Sequence, residues 1–217
     1  MTASIIRTPK LPRSLPAGEL ECLAAHGDYT LFSLSGSDFT AQAADDVRFE
    51  QVQLRRVTFS QTRLNKAYLA DVRAEACNFS AASWEKPRLR RVALSGCRLM
   101  GTQWLDAQLE DVRFKECTLE DAVLFKAVCK GVRFEKCILR GAFFEECNLN
   151  GVVFEQCDLA NASLRASTLE QADLRGSILS SVQLHAKDLH GAIIEPGQAV
   201  QVVGLLGVTV QEIGETS

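Results

Sequence analysis

An unbroken period of five residues runs through most of this chain. Steps of five from Leu34 to Ile194 meet 33 positions, and 27 of them hold Leu or Phe. A second register lies two residues earlier, and 29 of its 33 positions hold Val or a small residue. Such a period is typical of proteins that stack one short unit on the next, so it predicts the fold almost completely.

A period of five fits neither regular element of secondary structure. Apolar residues recur every three or four positions on a helix and every two on a strand. Within one repeat, however, the two apolar registers stand two residues apart, as on a very short strand, and the other positions are mostly polar, charged or Gly. We therefore expect each pentapeptide to form one short side of a coil, followed by a turn.

Identical residues recur at intervals of 20 and set the number of sides. The columns are Cys77, Cys97, Cys117, Cys137 and Cys157; Trp84 and Trp104; and Phe114, Phe134 and Phe154. Because like residues stack on like residues in a solenoid, one coil is expected to hold four sides of five residues. The predicted fold is an all-β solenoid of about eight coils, about 4.8 Å apart, around a column of Leu and Phe.

The repeats resemble those of the pentapeptide-repeat family. The family pattern stands complete in Ala172-Asp173-Leu174-Arg175-Gly176 and loosely in residues 147–151 and 157–161. The resemblance implies a right-handed quadrilateral β-helix with both apolar registers inside. It implies much less about activity, because the family includes topoisomerase-binding proteins, bacterial effectors and members with no known role.

The segment 1–30 lies outside the repeat and is expected to cap it. It holds three of the five prolines, which favour extended backbone. The stretch through Leu20, Leu23 and Leu31 can lie across the open first coil, whose unpaired backbone needs a cover. The expected division is a cap with a partly mobile start at 1–30, the β-helix at 31–195, and a tail at 196–217.

The tail is predicted to begin with a short helix. Pro196 suits a first helical turn and Gly207 a C-terminal stop. One apolar face of this helix is expected to consist of Ala199, Val200, Val203 and Leu206. The segment resembles the dimerising tail of quinolone-resistance pentapeptide proteins, which implies a two-fold homodimer. The alternative is a helix that only plugs its own last coil.

The reactive side chains form no recognisable catalytic motif. Six of the eight Cys occupy the small inward register, where a free thiol packs as a small hydrophobe; the others are Cys22 and Cys129. The sequence has no C-x-x-C spacing, no Gly-rich phosphate loop and no hydrolase motif around its three His. Acidic outer residues such as Asp111 and Asp121 are expected to be solvated. We therefore predict a protein that is not an enzyme and needs no cofactor or metal.

Charge and hydropathy limit the partners. No apolar run approaches the length of a membrane span, roughly 18 residues or more, and the N-terminus lacks a signal-peptide stretch, so a cytoplasmic location is expected. The net charge is −3, with both signs on every side of the predicted coil. DNA mimicry needs a dense line of negative charge, and direct nucleic-acid binding needs basic patches free of the acidic residues that interrupt them here. No direct nucleic-acid contact is therefore expected.

One group of outer residues is apolar. It consists of Leu105, Val123, Phe125 and Phe143, which are predicted to meet on neighbouring coils. Apolar residues that are exposed and in contact usually mark an interaction site. The alternative is that the neighbouring tryptophans distort the coil and bury the group.

Two functions follow as hypotheses. The first is a non-enzymatic scaffold that binds an unidentified protein partner through the surface of its rod. The second, implied by the resemblance, is a modulator of DNA gyrase or topoisomerase IV that acts by DNA mimicry. The weak negative charge favours the first.

Overall fold

The structure, a computed structural model, describes residues 6–205 and 207–210 and forms a parallel β solenoid. Each strand pairs with the segment one coil further along the chain, as in Asp28 with Arg48. The described strands are β1 (Asp28–Thr30), β2 (Ser33–Ser35), β3 (Arg48–Glu50), β4 (Gln53–Arg55), β5 (Tyr68–Glu75), β6 (Ser83–Glu85), β7 (Arg88–Ser95), β8 (Gln103–Leu105), β9 (Gln108–Lys115), β10 (Val123–Phe125), β11 (Val128–Glu135), β12 (Phe143–Glu145) and β13 (Val153–Glu155). A 3-10 helix (Ala186–Leu189) and α1 (Pro196–Leu205) follow. No helix in the described ranges is long and apolar enough to cross a membrane.

The strands form two parallel sheets. The larger has the order β1-β3-β5-β7-β9-β11-β13, with β2 and β4 extending it beside β5, and the smaller has the order β6-β8-β10-β12. The predicted solenoid class is confirmed, but the regular ladder from β1 to β13 covers about six turns, fewer than the expected eight. Beyond β13 the stacking continues as isolated bridges such as Asp173 with Ile193. Repeats in this region keep the inward registers without forming continuous strands.

One residue of each pentapeptide forms a corner of the coil. Every fifth residue from His26 to Ser181 has a positive φ, between 50° and 73°. Most of these residues are not Gly, although a left-handed conformation costs an L-residue about 1–2 kcal/mol. The amide of the corner residue compensates by donating to the next coil, as Gln61 N does to Ser80 O at 2.9 Å. Because each coil contains four such corners, it has four sides.

The core is the predicted column of large apolar residues. Phe114 and Phe134 stack with ring centroids 4.7 Å apart, and Trp84 and Trp104 stack at 5.6 Å. All these side chains are at most 2% exposed. Stacking of like on like is therefore confirmed at the aromatic positions.

The first coil is closed by residues 17–27, as the sequence predicts in part. Leu23 is buried and its N–H donates to the Gln42 side chain at 2.8 Å, and Leu20 packs against the core. Leu31 does not join them: it is 48% exposed because it stands at a corner with φ 59°. Regular stacking also begins at β1, before the expected boundary at residue 31.

The preceding segment takes a different course from the expected cap. Residues 6–16, here called the strap, form no strand and reach side chains as far away as Asp111, four coils along the rod from Leu31. None of the strap residues is buried. The strap therefore lies along the side of the solenoid and leaves the closing of its end to residues 17–27.

The other end is closed by α1. Its Val202 joins the hydrophobic core, and the Gln198 side-chain amide donates to the carbonyl oxygens of Leu174 at 2.8 Å and Ser177 at 2.7 Å. These bonds satisfy two carbonyl groups of the final coils. The helix thus caps the last coil of its own chain.

Candidate functional site

The four apolar residues singled out in the sequence come together on the smaller sheet. This apolar patch consists of Leu105, Val123, Phe125 and Phe143. Leu105 pairs directly with Phe125, and Val123 with Phe143, on adjacent strands β8, β10 and β12. Neighbouring strands lie about 4.8 Å apart, and residues two apart on one strand are about 7 Å apart. The four side chains therefore form a compact group on one flat side of the rod.

The tryptophans do not bury the patch. Trp84 and Trp104 point inward and are at most 2% exposed, while Phe143 is 43% exposed and the other patch residues are partly exposed. The patch borders a shallow depression of about 300 Å³. The apolar side chains are thus available to a partner.

Polar groups surround the patch. In the column of Leu105 and Phe125, the residues on either side are Glu85 and Glu145. Glu145 accepts a hydrogen bond from Ser163 Oγ at 2.7 Å, and Lys126 Nζ lies 4.8 Å from the centre of the Phe125 ring. An apolar centre with a charged rim is the usual organisation of a protein–protein contact.

A second surface was missed in the sequence. It lies at one corner of the coil, where Gln51, Asp71, Arg91 and Asp111 stand one coil apart from each other in turn; we call these four residues the polar corner. Arg91 Nε donates to Asp71 Oδ1 at 2.6 Å, and both side chains are largely buried. Comparing residues 20 apart in the sequence would have revealed the alternating charges of Asp71, Arg91 and Asp111.

The strap contacts the polar corner through its backbone and through the Arg7 side chain. Arg7 N donates to Asp111 Oδ1 at 3.2 Å, and Lys10 N donates to Asp71 Oδ1 at 2.8 Å. Gln51 Nε2 donates to Lys10 O at 3.0 Å, and Arg7 Nε donates to Asp111 Oδ2 at 2.6 Å. Asp111 is only 6% exposed, so the expectation that it is solvated was wrong, whereas Asp121 is exposed as expected.

The pKa values at the polar corner reflect these contacts. Burial raises the pKa of Asp71, but the hydrogen bonds from Arg91 and from the Lys10 amide outweigh it and keep that pKa below its ordinary value of 3.8. The hydrogen bond and charge of Asp111 raise the pKa of Arg7. The Arg91–Asp71 pair is therefore charged at neutral pH.

The described residues expected to form a dimer interface share one side of α1, next to and opposite the side that packs on the coil. Val200 is 58% exposed, Ala199 and Val203 are partly exposed, and Leu206 lies outside the described residues. The side that packs on the coil is formed by Gln198 and Val202 instead. Their spacing of four residues is the signal that sequence reasoning overlooked, because Gln is polar.

The cysteines take the predicted structural positions. All six in the small register are buried, as is Cys129, and Cys22 is exposed. Burial raises the pKa of Cys147 to about 11 and also raises the pKa of Cys129. The thiols of Cys147 and Cys129 are therefore poor nucleophiles at neutral pH. Within residues 6–205 and 207–210, no three His, Cys, Asp or Glu side chains come together as a set of metal ligands.

Sequence models of one family match most of the chain. A model of the pentapeptide repeat region matches residues 45–124 and 67–144. A model of eight pentapeptide repeats matches residues 127–165 and 157–195. The matches together run from 45 to 195, which is more than half of the chain. Among curated proteins no sequence matches.

The chain is also similar to several solved structures, at low sequence identity. QnrB1, a plasmid-mediated fluoroquinolone resistance protein, is 21% identical, with 85% of this chain and 100% of that chain covered and a TM-score of 0.36. A pentapeptide repeat protein from the Arabidopsis thaliana thylakoid lumen is 19% identical, with coverage of 51% and 66% and a TM-score of 0.30. Another, from the cyanobacterium Cyanothece 51142, is 14% identical, with coverage of 81% and 92% and a TM-score of 0.21.

Proposed function

This chain belongs to the pentapeptide-repeat family, and we propose that it is a non-enzymatic scaffold that binds a protein partner through the apolar patch. The observation that carries the proposal is the meeting of four apolar side chains on adjacent strands, with Phe143 43% exposed. The backbone beneath them is held in a hydrogen-bonded sheet, so little conformational entropy is lost when a partner binds. A rigid apolar anchor point of this kind suits protein recognition.

The rim defines the chemistry of the partner. Glu85 and Glu145 stand at opposite ends of the column through Leu105 and Phe125. An apolar or aromatic side chain flanked by Lys or Arg would bury the patch and face both carboxylates. The proposed partner segment is therefore apolar at its centre and basic at its ends.

A cytoplasmic homodimer is part of the proposal. All eight cysteines are free thiols, which fits a reducing compartment. The apolar residues that α1 leaves partly or largely exposed, Val200 above all, offer a surface to a second copy. Capping of the last coil by Gln198 and Val202 uses the other side of the helix and is compatible with pairing.

Gyrase modulation by DNA mimicry is the competing function. It requires concentrated negative charge, but the charges on this rod pair with one another. Arg113 lies 2.5 Å from Glu135, and Arg133 lies 3.0 Å from Glu155. This pairing favours the scaffold proposal over mimicry of a duplex.

Selection from a displayed peptide library against the native protein tests the role of the patch. We expect enriched peptides to carry an aromatic or aliphatic anchor between basic residues. Their affinity should fall at least about tenfold for Phe125→Ser, since the loss of one central anchor costs more than about 1.4 kcal/mol. Ile178→Ser is the matched control, because Ile178 is an isolated exposed apolar residue elsewhere on the rod. Equal loss in both variants, or none in Phe125→Ser, contradicts the proposal.

A supercoiling assay with purified DNA gyrase separates the two functions. The scaffold proposal expects no inhibition and no quinolone protection at micromolar protein. Inhibition that disappears with Asp121→Asn but survives Phe125→Ser would instead establish mimicry by surface carboxylates.

A further inference from the structure

The polar corner has the features of a site for extended peptides. We propose that it binds an extended basic segment, and that the strap occupies it in cis. The site lies on the larger sheet, away from the apolar patch, and is independent of the function proposed there. Its recognition elements are the carboxylates of Asp71 and Asp111 and the amide of Gln51.

The spacing of the two carboxylates matches that of an extended chain. Asp71 and Asp111 stand two coils apart, which is about 9.6 Å at about 4.8 Å per coil. They accept the amides of Lys10 and Arg7, which are three residues apart, or about 10 Å in extended backbone. The bonded peptide therefore runs along the rod axis, across the strands. An advance of three residues along the peptide matches a step of two coils along the rod.

The strap covers both carboxylates and supplies part of their pairing. With the strap in place Asp71 is 4% exposed and Asp111 6% exposed, and a charge buried in this way is strongly unfavourable unless it is paired. Arg91 pairs with Asp71 from within the rod, but Asp111 receives its cation from the strap, through Arg7. Asp111 is thus the position at which the site demands an arginine from its ligand.

Polar contacts hold the strap, and none of its residues belongs to the hydrophobic core. Its apolar residues Ile6, Pro9, Leu11 and Leu15 are partly buried and none is fully buried. Beside it lies a cavity of about 490 Å³, bounded by strap residues such as Ile6 and Pro9 and by Ala93 and Arg113 of the rod. A segment held by a few hydrogen bonds over an open cavity can be displaced by a competitor with the same donors.

The site recognises the backbone of its peptide ligand and one of its side chains. Main-chain N–H groups of any extended peptide can satisfy Asp71 and Asp111, and Arg at the position of Arg7 adds a charge-assisted bond to Asp111. Lys10 contributes its N–H and its carbonyl oxygen, so its side chain is free to vary. The ligand class is therefore an extended segment with Arg three residues before a residue that is not proline.

The test uses the full chain with a weakened strap. Arg7→Ala removes the guanidinium, and Lys10→Pro removes the N–H that Asp71 accepts while suiting the proline-rich extended segment. The probe is a fluorescein-labelled peptide with the sequence of residues 6–13, and fluorescence anisotropy measures its binding. We expect it to bind the double variant at least tenfold more tightly than the wild type, in which the tethered strap competes at high effective concentration.

Corner variants identify the site of binding. Adding Asp111→Asn to the double variant should abolish peptide binding, and adding Asp121→Asn should leave it unchanged. Asp121 is a fair control because it occupies an equivalent left-handed corner, ten residues further along the same coil. Failure of the peptide to bind a double variant with wild-type circular dichroism would overturn the proposal, as would equal loss from both Asn variants.

A second measurement covers the case in which the double variant does not fold. In the otherwise unchanged protein, hydrogen exchange at the Arg7 and Lys10 amides should accelerate at least tenfold with Asp111→Asn and not with Asp121→Asn. Addition of excess unlabelled peptide to the wild type should accelerate the same two amides, since it displaces the strap. Unchanged exchange in both experiments refutes a displaceable ligand at this corner.

Discussion

Trp104 offers a direct test of how side chains stack from coil to coil. Among the described residues, its indole Nε1 is a buried side-chain donor without a hydrogen-bond partner. The indole of Trp84, one coil earlier, donates to Thr62 Oγ1 at 3.3 Å. The residue in the equivalent position for Trp104 is Ala82, which has no acceptor. We predict that Ala82→Thr supplies the missing partner and so offsets the cost of its added atoms, which the same substitution beside a phenylalanine does not.

The neighbouring coils indicate that the new hydroxyl fits. Position 82 lies between Thr62 and Thr102 in the same inward column, so both adjacent coils already accommodate threonine. Thr62 Oγ1 donates to Phe59 O at 2.7 Å; the corresponding carbonyl, Phe79 O, already accepts from Ala82 N at 3.1 Å and from Thr102 Oγ1 at 3.0 Å, so a threonine at position 82 has to share it.

The expected magnitude follows from the orphaned donor. An unsatisfied buried donor costs about 1–3 kcal/mol, whereas extra atoms in a filled core cost a similar amount. Ala122→Thr is the matched control: it lies in the same column, but the residue in the place of the tryptophan is Phe144, which has no donor. We expect Ala82→Thr to be about 1–3 kcal/mol more stable than Ala122→Thr, or about 2–4 °C in Tm per kcal/mol.

Urea and thermal unfolding, followed by circular dichroism, measure this difference. The advantage of Ala82→Thr should vanish in a Trp104→Phe background, which retains a large ring but removes the N–H. Equal stability of the two threonine variants, or an advantage that persists with Trp104→Phe, would refute the assignment of the benefit to this hydrogen bond.

Four further outcomes are expected. Phe134→Ala should lower the unfolding free energy in urea by about 3–5 kcal/mol, because it leaves a cavity in the stacked column. A thiol reagent should modify Cys22 rapidly in the native protein and no buried cysteine, as peptide mapping would show; rapid labelling elsewhere contradicts the packing. Sedimentation should show a dimer at tens of micromolar that Val200→Asp converts to a monomer, while a wild-type monomer would leave α1 as a cap alone. Because the folded-state pKa of Asp71 lies below 3.8, its contribution to strap binding is complete above that pH and is lost as the pH falls through the folded value, which hydrogen exchange at low pH would detect.

The sequence predicts the solenoid because the information for each coil is local. Every pentapeptide carries its own pair of inward residues, and a residue such as Phe134 finds its neighbours one coil away, at a fixed separation in either direction. The apolar patch was predictable for the same reason, because Val123 and Phe143 are one coil apart. The early boundary at β1 was missed because Tyr29 lies before the run of Leu and Phe but still stacks on Phe49.

The ends depend on contacts that no period specifies. Only the tertiary structure places Arg7 against Asp111, far away in the sequence, or turns the polar Gln198 of α1 inward to the carbonyl groups of Leu174 and Ser177. In both cases the deciding factor is the need to pair buried charges and backbone groups, which depends on what other segments bring within hydrogen-bond distance. The hydrophobic register can be recognised in the sequence of each repeat. The pairing of polar groups between distant segments depends on the folded chain, because only folding brings those segments together.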